Sequence, residues 1–139
     1  MSTVTPDGRI QSGKVVGGWI GVDLDGTLAE YNGWQGLVHI GPPIMPMVER
    51  IKVWLAAGIE VRIFTARMSE GTDAAGHHRF HFMKRMDQWL VDVGLPVLRY
   101  TNVKDYDMLE LYDDRAVQVE FNTGRLIGHS TRAESYHEG

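Results

Sequence analysis

The sequence predicts one α/β domain built on a mainly parallel, three-layer sheet. Three observations carry this expectation. Apolar runs switch between strand-like and helical spacing along the chain, the strand-like runs end in polar residues, and glycine or proline closes the helical ones. The order strand, helix, strand, helix, strand calls for right-handed crossovers, which set neighbouring strands parallel. A chain of 139 residues fits one core and leaves little room for a second.

Residues 1–18 are polar and glycine-rich, ending in Gly17 and Gly18, and read as an N-terminal arm or a short edge hairpin through Val15 and Val16. Trp19, Ile20, Gly21 and Val22 then climb into Asp23 without a helical period, as a buried central strand does. From Pro43, residues Ile44, Met47, Val48, Ile51, Trp54 and Leu55 fall at helical spacing and Gly58 supplies the stop. Ile59, Val61 and Ile63 alternate with Glu60 and Arg62 in a second strand that ends at Phe64 and Thr65. Phe80, Met83, Met86, Leu90 and Val93 predict another helix, stopped by Gly94 and Pro96, and Val97 and Leu98 open a short third strand. Met108 to Tyr112 forms a further apolar segment before Asp113 and Asp114. Val117, Val119 and Phe121 alternate up to a turn at Asn122, Thr123 and Gly124, where Arg125 to Ile127 would close a terminal hairpin. The domain is thus expected over residues 19–129, with a polar tail over 130–139.

Composition excludes several classes. Hydrophobic residues at 43% and charged residues at 23% are those of a folded domain, not of a disordered one. The formal charge of -4 provides no global basic field for non-specific nucleic-acid binding. Without cysteine there are no disulfides, thiolate metal sites or cysteine nucleophiles, and an intracellular setting is the default. No apolar run reaches the roughly 18 residues of a membrane span, and the first residues lack the apolar stretch of a signal peptide. A soluble, cytoplasmic protein with no membrane partner is the expectation.

Ligands of such sheets bind outside the carboxyl ends of the strands. Four polar clusters fall there: Asp23 with Asp25, Thr65 with Arg67, Lys104, and Asp113 with Asp114. Four carboxylates, a hydroxyl and two cations suit a magnesium ion and a phosphate, because Mg²⁺ takes hard oxygen ligands and a few carboxylates beside phosphate oxygens. A carboxylate can attack phosphorus once positive charge offsets the repulsion between anions, and a second acid can protonate the departing oxygen. Duller explanations exist for each part. Asp25-Gly26 is a common turn dipeptide, Thr65 could cap the next segment, Lys104 could be a solvated charge, and Asp113, Asp114 and Arg115 could form a turn with a surface ion pair. Gly26 comes too early for the calcium loop of an EF-hand. His77, His78 and His81 lack the zincin spacing and read as a polar helix start at the rim of the pocket.

Taken together, Val22-Asp23-Leu24-Asp25-Gly26-Thr27-Leu28, Ile63-Phe64-Thr65-Ala66-Arg67, Lys104 and Tyr112-Asp113-Asp114-Arg115 resemble the four motifs of the haloacid dehalogenase (HAD) superfamily of aspartate-nucleophile phosphatases, in order. The resemblance implies a Rossmann-like, HAD-like fold and a Mg²⁺-dependent phosphomonoester hydrolase. In it Asp23 would be the nucleophile and a metal ligand. Asp25 would give the metal its backbone carbonyl and use its side chain as the acid, a role that needs it protonated near neutrality, and then as the base. Thr65 and Lys104 would hold the phosphoryl oxygens, Asp113 and Asp114 would complete the metal site, and Leu24, Ala66 and Arg67 would join them in binding substrate. Thr27 would support the loop.

Residues 29–42 and 68–96 leave no room for a substantial cap, so the site is expected open, with closure by a neighbouring copy of the chain one way to cover it. Thr65-Ala66-Arg67 and Asp113-Asp114-Arg115-Ala116 look similar to the phosphatase part of polynucleotide kinase/phosphatase and to small nucleotidases, which points to a nucleotide or a nucleic-acid end phosphate. Specificity is expected from Arg67, Arg79 and the Trp34 loop. The competing functions are a phosphotransferase or mutase, and a non-catalytic phosphate-binding regulatory module.

Overall fold

A strand delivers its last residue to a binding crevice only if its neighbours run the same way, and here they do. The computed structural model describes residues 17–128. Strands β1 (Trp19–Asp23), β2 (Glu60–Phe64), β3 (Arg99–Thr101) and β4 (Met108–Tyr112) form one sheet in the order β3-β2-β1-β4, and each neighbouring pair is parallel. β1 lies between β2 and β4, so Trp19 to Val22 are closed off from solvent. This explains why β1 reads as a continuous apolar run whereas β2, with Glu60 and Arg62 half-buried, alternates.

The two helices form where the apolar spacing places them. α1 (Met45–Ala56) starts with proline in its first turn, where the missing N–H costs nothing, and buries Met47, Val48, Ile51 and Trp54. α2 (Arg79–Asp92) buries Phe82, Met86, Trp89 and Leu90. Its first turn is closed by histidines: the Phe80 N–H donates to His78 Nδ1 at 3.3 Å and the His78 N–H to His81 Nδ1 at 3.0 Å. The polar helix start expected of these residues is therefore a cap.

Both helices pack on the same face of the sheet. Ile20 and Val22 pair in register with Val61 and Ile63, and these four side chains share one core cluster with Val48, Ile51 and Trp54 of α1 and Phe82, Met86 and Leu90 of α2. The reason is topological. The strands grow outward in one direction, from β1 through β2 to β3, and same-handed crossovers in one direction land on one face. A helix for the opposite face would have to come from the β3–β4 connection, which is only residues 102–107. The α/β class, the parallel sheet and the lack of a separate cap are as expected. In layering, the described residues form a sheet with its α-helices on one side.

Side chains cover the other face instead. The Trp19 ring is fully buried, lies 6.4 Å from the Phe64 ring and 4.5 Å from the Arg62 guanidinium, and donates its Nε1–H to Asp105 at 2.8 Å. Arg62 in turn pairs with Glu60 at 2.7 Å.

The third strand starts two residues later than expected, at Arg99. The terminal hairpin is reduced to one bridge, Val119 with Leu126, around a turn in which Asn122 takes a positive φ of 64°. Val15 and Val16, the rest of the arm over 1–16 and the tail lie outside the described residues. No helix among the described residues is long and apolar enough to cross a membrane.

Trp54 is fully buried against Tyr112, with ring centroids 4.8 Å apart, yet its Nε1–H has no partner among the described residues. An unsatisfied buried donor costs about 1–3 kcal/mol. Trp54→Phe, which removes the donor with part of the ring, is expected to change stability by less than about 1 kcal/mol, whereas Trp54→Ala should cost about 3–5 kcal/mol. Urea denaturation of the two variants measures the difference.

Candidate functional site

Because β1 is central, Asp23 at its tip lies between the residue that follows β2, Thr65, and the pair that follows β4, Asp113 and Asp114. A register shift fixes the second neighbour. Trp19 pairs with Met108 but Ile20 with Glu110, so Val22 meets Tyr112 and the next step along both strands sets Asp23 level with Asp113. Unshifted pairing would put Tyr112 there instead. Shifts of this kind re-aim side chains beside functional sites.

Oxygen atoms of the half-buried Asp23, Asp113 and Asp114 all lie within 4.8 Å of one another. The turn after β1 holds this arrangement together. Gly26 has a φ of +89°, and a Cβ on it would sit 2.6 Å from Asp114 Oδ2, so both the backbone and the close approach of Asp114 require glycine. Thr27 Oγ1 accepts the Asp114 N–H at 3.0 Å and stands 3.1 Å from Asp114 Oδ1 and 3.4 Å from Asp23 Oδ2. It thus supports the loop, as expected.

Three carboxylates at this distance repel one another. Burial first, then the charge of Asp113, then the hydrogen bond and charge of Asp114 and the charge of Asp25, push the Asp23 carboxyl up to about 8. A hard divalent cation among the three would offset that repulsion, and an all-oxygen donor set of carboxylates is the chemistry such a cation takes. The residues present therefore fit a divalent cation.

Asp25 is held differently. Arg67 grips it by both oxygens, Nη2 to Oδ1 at 2.8 Å and Nε to Oδ2 at 3.0 Å, while Arg67 Nη1 donates to the carbonyls of Gly36 and Leu37 at 3.1 and 2.8 Å. The arginine is 5% exposed, with its guanidinium 5.1 Å from the Trp34 ring and 5.7 Å from the Phe82 ring. Thr65, also buried, caps the single 3-10 turn Ala66–Met68 by accepting the Arg67 N–H at 3.1 Å. Its capping role and its place in the site hold together.

The loop over 30–42 crosses the front of the site as a strap. Its base is closed by the antiparallel bridge of Ala29 with Pro43 and by Trp89 Nε1–H donating to the Gly41 carbonyl at 3.0 Å. Gly41 passes so close to Glu30 that a Cβ would lie 2.1 Å from the Glu30 carbonyl oxygen. On its outer side the Leu37 N–H donates to Asp73 at 2.9 Å.

A pocket of about 480 Å³ opens between strap and strand tips, lined by Asp23, Asp25, Tyr31, Trp34, Leu37, Thr65, Ala66, Arg67 and Arg115. Of the residues expected in the site, the structure gathers Asp23, Asp25, Thr65, Ala66 and Arg67 at the pocket and Asp113 and Asp114 beside Asp23. Leu24 is fully buried, and its carbonyl accepts the N–H groups of Thr27, Leu28 and Ala29. Lys104 is exposed on the loop after β3 and does not line the pocket. Arg79 reaches toward the Met68 carbonyl, at 3.5 Å, and is not in the lining either.

Sequence reasoning missed Tyr31, Leu37 and Arg115 as pocket residues. The only signal for Arg115 was its place directly after the Asp pair, and nothing local marks the strap residues. Among the described residues the three aspartates are the one group of side chains so placed for a metal, and the histidines are not part of it.

The folded chain keeps the Asp23 proton where the unfolded chain, with an ordinary carboxyl at 3.8, has lost it. In cation-free protein this group therefore costs progressively more stability as pH climbs from 3.8 toward 8. Thermal melts at pH 5 and pH 8 in chelator should show the native chain losing stability at the higher pH more steeply than Asp23→Asn, and added Mg²⁺ should restore the native chain at pH 8. No family model, curated protein or solved structure matches this chain. The chain itself presents a small parallel α/β domain with a carboxylate cluster at its strand tips.

Proposed function

We propose that the protein is a divalent-cation-dependent phosphomonoester hydrolase of the HAD-like type, with Mg²⁺ the cation its oxygen ligands suit, working through an aspartyl-phosphate on Asp23. The observation that carries this reading is the convergence of Asp23, Asp113 and Asp114 within 4.8 Å, with Asp25 and Thr65 lining the same pocket as Asp23. Carboxylates that merely solubilise a surface are not held in mutual repulsion at the tip of the most buried strand.

In this reading Asp23, Asp113 and Asp114 hold the cation, which when bound supplies the positive charge that lets an anionic ester approach a carboxylate. A carboxylate oxygen of Asp23 attacks phosphorus and the bond to the ester oxygen breaks. Asp25 gives that oxygen its proton, so the alcohol leaves neutral. Water then attacks the phosphorus of the aspartyl-phosphate, Asp25 takes the proton, and inorganic phosphate departs with Asp23 restored. Thr65 offers its hydroxyl to the phosphoryl oxygens. Arg115 is the cation beyond Arg67 that lines the pocket, and Lys104 would join only by an inward turn of the loop over 102–107. Tyr31, Trp34 and Leu37 give the leaving group an aromatic and apolar wall, which favours a flat group such as the nucleoside of a nucleotide or of a nucleic-acid end.

Phosphate release from nitrophenyl phosphate, a nucleotide panel and end-phosphorylated oligonucleotides tests the reading. Release should require Mg²⁺, stop in chelator and fall by about 10³-fold or more in Asp23→Asn. Phosphoryl transfer to an added alcohol in preference to water would make the protein a phosphotransferase. Binding of phosphate esters without release from any of them would make it a binding module and overturn the hydrolase.

A further inference from the structure

We infer that Arg67 is the positioning residue of Asp25, coupling the strap over 30–42 to the proton-transferring carboxylate, and is not a ligand of the substrate phosphate. The inference rests on the phosphatase reading above and deepens it. Four hydrogen bonds commit all but one of the guanidinium N–H donors to protein: two to Asp25, one to Gly36 and one to Leu37. An arginine that binds phosphate presents its planar fork to the ligand. Here the fork already faces a carboxylate, and the opposite edge faces two carbonyls.

The surroundings suit an anchor. Arg67 is buried, begins in a 3-10 turn capped by Thr65, and has aromatic rings of Trp34 and Phe82 near its guanidinium. Asp25, at 23% exposure, is the more open of the two, so it can move against a fixed partner. The Gly36–Leu37 peptide is gripped on both sides, the Gly36 carbonyl by Arg67 and the Leu37 N–H by Asp73, and Arg67 also holds the Leu37 carbonyl. The Asp73 carboxylate also accepts the N–H groups of Ala75 and His77, which ties the strap to the loop that precedes α2. Asp25 thus takes its orientation from a chain of contacts that ends outside the strand tips. Both oxygens of Asp25 accept from Arg67, so one of them must part from it and take up a proton from solvent before Asp25 can give that proton to the leaving oxygen, while the strap contacts hold the guanidinium in place.

The test compares the native chain with Arg67→Met, Asp25→Ala and the double variant. The substrates are nitrophenyl phosphate, whose leaving group needs little protonation, and an alkyl phosphate, whose leaving group needs it. A residue acting only through Asp25 should lower kcat/KM by about 10-fold or more on the alkyl ester and by less on the aryl ester. Its removal should leave inhibition by inorganic phosphate unchanged and cost nothing further once Asp25 is alanine. Equal losses on both esters, weaker inhibition by phosphate and an undiminished effect in the Asp25→Ala background would overturn the inference in favour of a phosphate ligand.

A second measurement needs neither turnover nor substitution of Arg67. Among the described residues the Nε–H of Arg67 bonds to Asp25 alone, so its NMR resonance should exchange slowly with solvent in the native chain and quickly in Asp25→Ala. Equally fast exchange in both would refute the pairing. Slow native exchange in a chain that releases no phosphate would uphold the pairing while the hydrolase reading alone fails.

Discussion

Mutual repulsion among three carboxylates is what the rest of this structure has to contain. Asp23, Asp113 and Asp114 end two neighbouring parallel strands, and parallel pairing gives those ends nowhere to go but the same edge. The fold meets the repulsion with rigidity. β1 is sealed on both sides, the turn through Gly26 admits Asp114 at a distance no side chain at position 26 would allow, and one hydroxyl, that of Thr27, reaches both strands' acids. Relief by separation is blocked, so relief has to come from a proton or from a cation. That choice between ligands makes the cluster a site and not a defect.

Much of this is legible in the sequence because it is local. A short apolar run without helical period that ends in Asp23 reads as a buried strand with a polar tip, and the spacing of Met47, Val48, Ile51 and Trp54 fits a helix with one buried face. Layering is not local. It depends on strand order and on how much chain links β3 to β4, and among the described residues that link of six holds no helix to cover the second face. Lys104 belongs to the same short link, where spacing alone cannot tell an inward side chain from an outward one. The Arg67–Asp25 pair spans 42 positions, and no pattern in either segment announces it. Tyr31 and Leu37 reach the pocket only because the strap is pulled across it.

The strap shows how a small domain without a cap walls its site. Its base is fixed by backbone and by Trp89 of α2, its middle by Arg67 from below and Asp73 from the side. Opposite charges hold opposite groups of the Gly36–Leu37 peptide, the Gly36 carbonyl by the Arg67 cation and the Leu37 N–H by the Asp73 anion, so the loop is oriented as well as tethered. The aromatic residues that line the pocket ride on this tethered segment. Stability and recognition are therefore not separable along it, and the charges that hold it are as much a part of the pocket as the rings they present.

The offset between Trp19 and Ile20 links the site to the interior in another way. The pairing that brings Asp113 level with Asp23 is also the pairing that turns Tyr112 toward Val22 and the ring of Trp54. A slip of β4 by one residue would swap the faces of its side chains, taking the aromatic from the core and the acid from the cluster in one step. Hydrophobic packing thus proofreads the placement of a charge. Correct assembly of the acidic site, which disfavours its own formation, is enforced by a contact that gains from the same alignment, and a chain that mispaired there would be penalised in its core before its chemistry was ever tried.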